Sequence, residues 1–395
     1  MPLRLLLILG GLSAFGPLAI DLYLPAFPAI ARSFITDTEH VQLSLAVYFV
    51  GLALGQVFYG PIADRFGRRK PLLFGIGVFS LASLACALAP TLEWLLVARF
   101  FQALGGCAGM VVNRAVVRDL CSPIESAKVF SKLMLVMGIA PILAPLAGGW
   151  LMLAGGWRSI FGFLMLFSAA FWLLVLLRLP ETLPADGPRS QLSSALGRYG
   201  RLLREPEFMF HALTGGMAMA GMFAYIAGSP FVFIQLYGIP AEHYGWLFGI
   251  NSAGFILAAQ FNSRFLRRRT PLQLLRTTTV LFMFSTLALP LIALAQTESL
   301  WPLMVPLFFC MAILALVVPN SSACALAGQG HQAGVASALM GTMQFTVAGL
   351  VSAAVGALHD GTALPMAAMI ALCGVGSATM ALLARRVERR KLEVA

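Results

Sequence analysis

Two ionisable residues lie within apolar stretches of the chain, where a charge is costly. Asp21 lies near the end of the first stretch and Arg99 near the start of the fourth. A charged side chain at the centre of a membrane helix costs about 2.5 to 3.5 kcal/mol, so it persists where it faces a cavity or a partner. A carboxylate in such a place can bind and release a proton as a neighbouring cation moves. The alternative places both residues at the membrane interface, with the arginine snorkelling to water.

A dense charge cluster separates the second apolar stretch from the third. The segment from Gly60 to Lys70 contains one carboxylate and four cations, which are Asp64, Arg65, Arg68, Arg69 and Lys70. Gly60 and Gly67 permit tight turns and close backbone approach, and the carboxylate of Asp64 could meet nearby helix N-termini. One interpretation is a solvated loop at the cytoplasmic membrane face. The other is a set of bonds that ties helix ends together.

The fifth apolar stretch combines two prolines with several small residues. Pro141 and Pro145 each remove a backbone donor and bend a helix. The small residues, which let a neighbouring helix approach closely, are Ala144, Ala147, Gly148 and Gly149. This stretch is expected to form a kinked helix with tight contacts.

The composition indicates that lipid surrounds most of the chain. Hydrophobic residues make up 59% and charged residues 11% of the 395 residues, which leaves too little polar surface to cover a globule in water. The formal charge of +11 would suit a nucleic-acid-binding protein whose basic residues share a soluble surface. Here the basic residues lie between apolar stretches, so we expect a membrane protein that does not bind nucleic acid.

The number and charge of the apolar stretches predict the fold class. About 20 apolar residues cross a hydrocarbon core of about 30 Å, and the chain contains twelve such stretches. With a cytoplasmic N-terminus, 24 of the 27 Lys and Arg residues fall on the inner side, as the positive-inside rule requires. We therefore expect an all-α polytopic membrane protein with twelve transmembrane helices and both termini in the cytoplasm. The first stretch is too long for a signal peptide.

The two halves of the chain carry an imperfect repeat. RFGRR at residues 65–69 recurs as RFLRR at residues 264–268, in both cases after the second helix of a half. In the second copy Ser263 replaces the carboxylate, so only the first half keeps it. The longest polar interruption contains four prolines and lies between the halves. We predict an N-terminal six-helix bundle at 1–178, a cytoplasmic linker at 179–207, and a C-terminal six-helix bundle with a short basic tail at 208–395.

No motif for a metal or a nucleotide is present in the sequence. The six cysteines show no CxxC spacing and the five histidines no HExxH spacing. A GxxxxGK[ST] loop is absent as well. We therefore expect no bound cofactor, no metal and no catalytic residue, which makes a membrane enzyme the least favoured class.

Several motifs resemble those of one transporter family. The two six-helix halves, the charged loop after helix 2 and the long central loop resemble the major facilitator superfamily. RFFQALGG at residues 99–106 is similar to its RxxQGxG pattern, and APILAPLAGG at 140–149 is similar to the GxxxGPxxGG motif of proton-coupled exporters. IDLYLPAFPAI at 20–30 and AGSPFVF at 227–233 resemble the Bcr/CflA subfamily of bicyclomycin and chloramphenicol-class drug exporters.

The resemblance implies roles for the residues above. Asp21 would be the main site for a proton or a cationic substrate, and Arg99 would control its affinity. The loop would act as a latch in which Asp64, Arg65 and Arg69 bond neighbouring helix ends in one conformation. The latch motif consists of Gly60, Asp64, Arg65, Gly67, Arg68 and Arg69. The antiporter motif consists of Ala144, Pro145, Gly148 and Gly149.

The expected function is proton-coupled efflux of small amphipathic antimicrobials by alternating access between two pseudo-symmetric bundles. The expected partners are the drug, protons as coupling ion and the lipid of the bacterial inner membrane, with a monomer as the working unit. A carrier of a small metabolite, facilitative or proton-coupled, is the alternative. Candidates for substrate contact are polar or aromatic residues that could face a cavity: Tyr48, Phe223, Tyr225, Asn251, Asn320 and Gln344. Packing and interhelical hydrogen bonds account for such residues equally well.

Overall fold

The computed structural model describes residues 3–121, 123–183, 192–329 and 332–394, and every regular element in these ranges is helical. The α-helices are α1 Leu3–Asp21, α2 Phe27–Ser33, α3 Thr38–Phe66, α4 Arg69–Ala87, α5 Leu92–Leu120, α6 Pro123–Arg178, α7 Leu192–Leu202, α8 Pro206–Pro230, α9 Ala241–Phe265, α10 Pro271–Leu294, α11 Trp301–Leu326, α12 Ala333–Ala357 and α13 Leu364–Val394.

The twelve predicted spans map onto these helices with two differences in continuity. The first span is broken, because α1 ends at Asp21 and a 3-10 turn at Leu24–Ala26 leads into α2. Pro25 and Pro28 lie in this break and lack the backbone N–H groups that a continuous helix requires. The fifth and sixth spans run together as α6, which is interrupted only at Gly155 and Gly156.

Ten of the helical segments are long and apolar enough to cross a membrane. α6 counts once among these ten although two spans were predicted there, and α9 is not among them. α9 carries polar residues within its apolar length, including Asn251, Ser252 and Asn262. In length and in position, α9 nevertheless matches the eighth predicted span.

The chain divides into two compact units. One contains Met1–Leu196 with Ala241–Gly245, and the other contains Gly197–Pro240 with Trp246–Ala395. The division at Leu196 falls inside the segment predicted as a linker, of which residues 184–191 lie outside the described ranges. The three-part domain division itself stays a prediction.

The third long helices of the two halves pack in corresponding ways. In the first unit α4 packs against α5 and α6, and in the second unit α10 packs against α11 and α13. α4 and α10 each follow the second helix of their half. The third helix of each half thus contacts the fourth and the sixth, so bonds at its start connect it to neighbouring helix ends.

Candidate functional site

Asp21 lies at the point where the first helix breaks. It is the last residue of α1, and its side chain is 3% exposed. Its Oδ1 atom has no hydrogen-bond partner among the described residues. A buried polar atom without a partner costs free energy, and this oxygen is available to a proton, a water molecule or a ligand.

Arg99 lies on α5 and is fully buried. Its guanidinium carbon lies 4.3 Å from the ring centroid of Tyr23 and 4.2 Å from that of Tyr48. Nη1 donates to Oε1 of Gln102 at 2.5 Å, whereas Nε and Nη2 have no partner in the described ranges. Two tyrosine faces therefore hold this cation, as expected for a cation–π contact away from water.

A chain of hydrogen bonds fixes the position of the Arg99 side chain. Gln102 donates from Nε2 to the Ser83 hydroxyl at 2.8 Å, and Ser83 donates to the backbone carbonyl of Phe79 at 2.7 Å. The Tyr23 hydroxyl lies 3.0 Å from that of Ser44. The bond between Gln102 and Ser83 connects α5 with α4. The contact between Tyr23 and Ser44 connects the break after α1 with α3.

The structure does not join Asp21 and Arg99 in an ion pair. Within the described residues no carboxylate lies within 4.0 Å of the Arg99 guanidinium. Aromatic rings and Gln102 contact the guanidinium instead, and the predicted coupling between Asp21 and Arg99 stays a prediction. Tyr23 and Gln102 were missed as partners, although Gln102 stands three residues after Arg99 on the same helix face.

Arg68 is the central cation of the loop after the second helix. It is 3% exposed, and it donates from Nη1 to Oδ1 of Asp64 at 2.5 Å and from Nε to Oδ2 of Asp119 at 2.8 Å. Burial lowers the pKa of this guanidinium, but the bonds to Asp119 and Asp64 outweigh it and leave the pKa raised. The two carboxylates come from the ends of α3 and α5, so one side chain ties two helix ends together.

Glu181, which follows α6, completes the loop. Its carboxylate accepts hydrogen bonds from the backbone N–H groups of Arg68 at 2.8 Å and Arg69 at 3.2 Å. Arg69 also donates through Nη2 to the backbone carbonyl of Leu176. Gly67 has a φ of +91°, and a Cβ atom there would overlap the Glu181 carboxylate. The positive φ favours glycine at this position, and the absence of a side chain leaves room for the Glu181 carboxylate.

The bonding residues of the loop differ in part from those predicted. Arg65, which was predicted to bond a helix end, instead places its guanidinium 5.3 Å from the ring centroid of Phe66, and Arg68 makes the carboxylate bonds. Gly60 lies within α3 with open space around it. Asp119 and Glu181 were not predicted, although an excess of cations over carboxylates in this loop signals that partners must come from elsewhere.

Acidification should weaken the bonds made by Glu181. Burial raises the pKa of its carboxyl, but four backbone N–H donors outweigh burial and lower that pKa below the usual value. A carboxylate with a lowered folded-state pKa stabilises the fold above its unfolded pKa, and this contribution is lost as the pH falls through the folded value. We expect the fall in unfolding temperature between about pH 6 and pH 3 to be smaller in Glu181→Gln than in the unchanged protein. Equal falls in both proteins would contradict this assignment.

Helix α6 brings the small-residue motif against the Asp21 break. Ala144, Pro145, Gly148 and Gly149 are all buried. A Cβ atom added to Gly148 would overlap the carbonyl oxygen of Leu22, which follows Asp21 directly. The small residues of this motif therefore allow the backbone of α6 to approach the end of α1 closely.

Substitution of Gly148 tests this contact. We expect Gly148→Ala to lower the unfolding temperature and to reduce activity, because an added methyl group must displace backbone atoms, and overpacking costs about 1 to 3 kcal/mol. Gly162→Ala is the control, since Gly162 lies in the part of α6 after the interruption at Gly155 and Gly156, and a Cβ added there meets no neighbouring helix within 4 Å. An unfolding temperature equal to that of the control would show that the contact is unimportant.

Sequence comparison assigns the family. The profile of the Major Facilitator Superfamily matches residues 8–353. The chain belongs to the major facilitator superfamily. It is 39% identical over 376 residues to an uncharacterized MFS-type transporter, YdgK, of Bacillus subtilis, covering 94% of this chain and 93% of that protein. It is 30% identical over 371 residues to a bicyclomycin resistance protein homolog of Haemophilus influenzae, with the same coverage.

Solved transporters share the fold of this superfamily member. The xylose transporter XylE of E. coli, in a partially occluded inward open conformation, superposes with a TM-score of 0.73 at 14% identity, covering 95% of this chain and 96% of that one. The predicted fold class and family are therefore confirmed. The protein is a multi-pass membrane transporter for small molecules rather than an enzyme, and its relatives support the resemblance to bicyclomycin exporters.

The candidates for substrate contact in this superfamily member are mostly buried within single units. Tyr48 packs against Arg99 in the first unit, and its hydroxyl has no partner in the part of the chain that the structure describes. In the second unit Asn251 donates to the Tyr225 hydroxyl at 3.0 Å, and Asn320 donates to Asn262 at 2.9 Å. These amides join helices of the unit, as the packing interpretation expects.

Two candidates remain in the second unit. Phe223 is buried with its ring centroid 6.0 Å from that of Phe345, whereas Gln344 on α12 is half-buried. Oδ1 of Asn251 lacks a partner among the described residues. Their roles in substrate binding stay predictions.

Proposed function

We propose that the protein exports small amphipathic antimicrobials of the chloramphenicol or bicyclomycin class in exchange for protons. The observation that carries this proposal is the buried Asp21 carboxyl, which lies at a break in an apolar helix and has one oxygen without a partner among the described residues. A carboxyl group in such a place is suited to proton binding, because intramembrane ionisable residues mark ion and substrate pathways. The relative that is named for bicyclomycin resistance supports the substrate class.

Proton coupling supplies enough energy for this work. One proton that moves down a membrane potential of about 100 mV supplies roughly 2.3 kcal/mol. Since about 1.4 kcal/mol corresponds to a factor of ten, this free energy supports a drug gradient of roughly fifty-fold. Alternating access of the two bundles would expose the proton site and the drug site to each side in turn.

Sequence features also support a direction of transport and a membrane location. The small-residue motif around Gly148 resembles that of proton-coupled exporters, which supports outward transport. The positive-inside distribution of Lys and Arg supports a bacterial inner-membrane protein with both termini in the cytoplasm. We propose that a monomer suffices and that protons are the coupling ion, with no bound cofactor.

Drug susceptibility and proton movement together test the function. An efflux-deficient bacterial host that expresses the protein should tolerate higher concentrations of chloramphenicol or bicyclomycin than a host with an empty vector. In inside-out vesicles with an established pH gradient, the same drugs should release protons only when the protein is present. Counterflow of a metabolite without any drug-dependent proton release would instead favour the carrier alternative.

A further inference from the structure

Three side chains meet in the C-terminal unit, away from the residues described above. Nε2 of His211 lies 3.1 Å from Oε1 of Glu388, and Arg276 donates from Nη2 to Oε2 of the same carboxylate at 2.8 Å. His211 is 2% exposed, whereas the Glu388 side chain is 16% and that of Arg276 41% exposed. We call these three residues the histidine cluster. It joins α8, α10 and α13, which are the first, third and sixth long helices of the second half.

The histidine cluster occupies the place that the loop bonds occupy in the first unit. There Arg69, at the start of the third helix, bonds the carbonyl of Leu176 at the end of the sixth. Here Arg276, near the start of the third helix, bonds Glu388 near the end of the sixth. The sequence repeat at 264–268 does not supply this contact, since all five of its residues are exposed. The second unit therefore has its own bond between helix ends, and that bond includes a histidine.

The hydrogen bonds indicate which protonation state this conformation accommodates. A neutral imidazole can donate from Nε2 to Glu388, and its Nδ1 is then an uncharged lone-pair acceptor. Nδ1 of His211 is buried and has no partner among the described residues. A proton added at Nδ1 would create a buried N–H group without an acceptor, which costs free energy. It would also add a positive charge beside Arg276, whose charge Glu388 already balances.

The charged and titratable neighbours are few. On α11, Cys324 lies within electrostatic reach of Glu388, Arg276 and Glu207, the last of which is on α8 itself. The segment of α12 contains no titratable residue, and Arg276 is the one charged residue of α10. On α13, Arg385, Arg386 and Arg389 are exposed. Glu388 therefore supplies the carboxylate that faces the imidazole.

We propose that the histidine cluster is a proton-binding site distinct from Asp21, and that proton uptake by His211 changes the strength of the contact between α8 and α13. A proton from water binds the imidazole nitrogen, and no other bond forms or breaks. Imidazole is the side chain whose unperturbed charge change falls between about pH 5 and pH 8, which makes it suited to proton binding. The role of this site in transport rests on the proposed proton coupling, but its proton binding does not.

Nuclear magnetic resonance of the imidazole rings tests the proton binding directly. The protein in lipid nanodiscs, with its five histidines isotope-labelled and no drug present, is titrated from about pH 5 to pH 9. His211→Gln identifies the resonance of His211, and exposed His243 provides an internal reference. We expect His211 to titrate, with a midpoint that moves about one pH unit lower in Glu388→Gln and higher in Arg276→Gln.

Hydrogen–deuterium exchange gives a second measurement that needs no variant at Glu388. We expect the protection factors at the start of α8 and the end of α13, after correction for the intrinsic pH dependence of amide exchange, to differ between about pH 5.5 and about pH 7.5. This difference should disappear in His211→Gln and persist in His243→Gln. A ring that does not titrate, or the same midpoint in all variants, would overturn the proposal. Because no drug is present, a failed transport assay would leave this result unaffected.

Discussion

Asp21→Asn is expected to abolish drug-driven proton release and the drug tolerance that depends on it. Asparagine keeps the size of the side chain and its hydrogen-bonding capacity but cannot bind a proton near neutral pH. A proton-driven gradient of roughly fifty-fold should therefore fall to none. Because Oδ1 of Asp21 has no partner to lose among the described residues, the unfolding temperature should change little. Loss of proton release at an unchanged unfolding temperature would distinguish a defect in proton coupling from a defect in folding.

The Asp21 experiment can also separate coupling from drug binding. In vesicles without a pH gradient, Asp21→Asn should still exchange labelled drug for unlabelled drug, because exchange needs no net proton movement. Asp37→Asn is the matched control, since Asp37 is an exposed carboxylate just before α3, and it should behave like the unchanged protein. Drug-dependent proton release by Asp21→Asn at the normal rate would rule out Asp21 as the coupling site.

Arg68→Gln is expected to disrupt the loop after the second helix and to impair both stability and transport. The substitution leaves the Asp119 carboxylate, whose side chain is 11% exposed, without its cation. Removal of one partner of a buried ion pair costs about 3 to 5 kcal/mol, and the partial exposure of Asp64 places this loss near the lower value. Thermal unfolding in detergent and efflux in cells should both show the defect. Arg65→Gln is the control, because Arg65 makes no carboxylate bond in the described residues.

A double substitution distinguishes the ion pair from general damage to the loop. Arg68→Gln combined with Asp119→Asn removes both charges, so part of the lost stability should return. Asp64→Asn should lower stability less than Asp119→Asn, because the Asp64 side chain is 43% exposed. We expect Asp64→Asn to insert normally and to lose transport, as the latch hypothesis requires. A double variant no more stable than Arg68→Gln would contradict the pairing.

The sequence predicted the helices well because apolar length is a local property. Pro25 and Pro28, which interrupt the first span after Asp21, can likewise be read directly from the sequence. It failed where partners come from distant segments: Glu181 is more than a hundred residues from Arg68, and no local pattern connects them. The rings that hold Arg99 were unforeseeable for the same reason, because stacking depends on how α3 and α5 pack rather than on residue spacing.

The burial of the thiols has a practical consequence for measuring motion. Four of the six free cysteines are buried, and only Cys121 and Cys324 are partly accessible. Water-soluble maleimides react with thiolates that they can reach. Replacement of these two cysteines should therefore give a background that labels weakly, into which pairs of spin labels can be introduced. Distances between such labels would follow the alternation of the transporter without removal of the four cysteines that pack inside it.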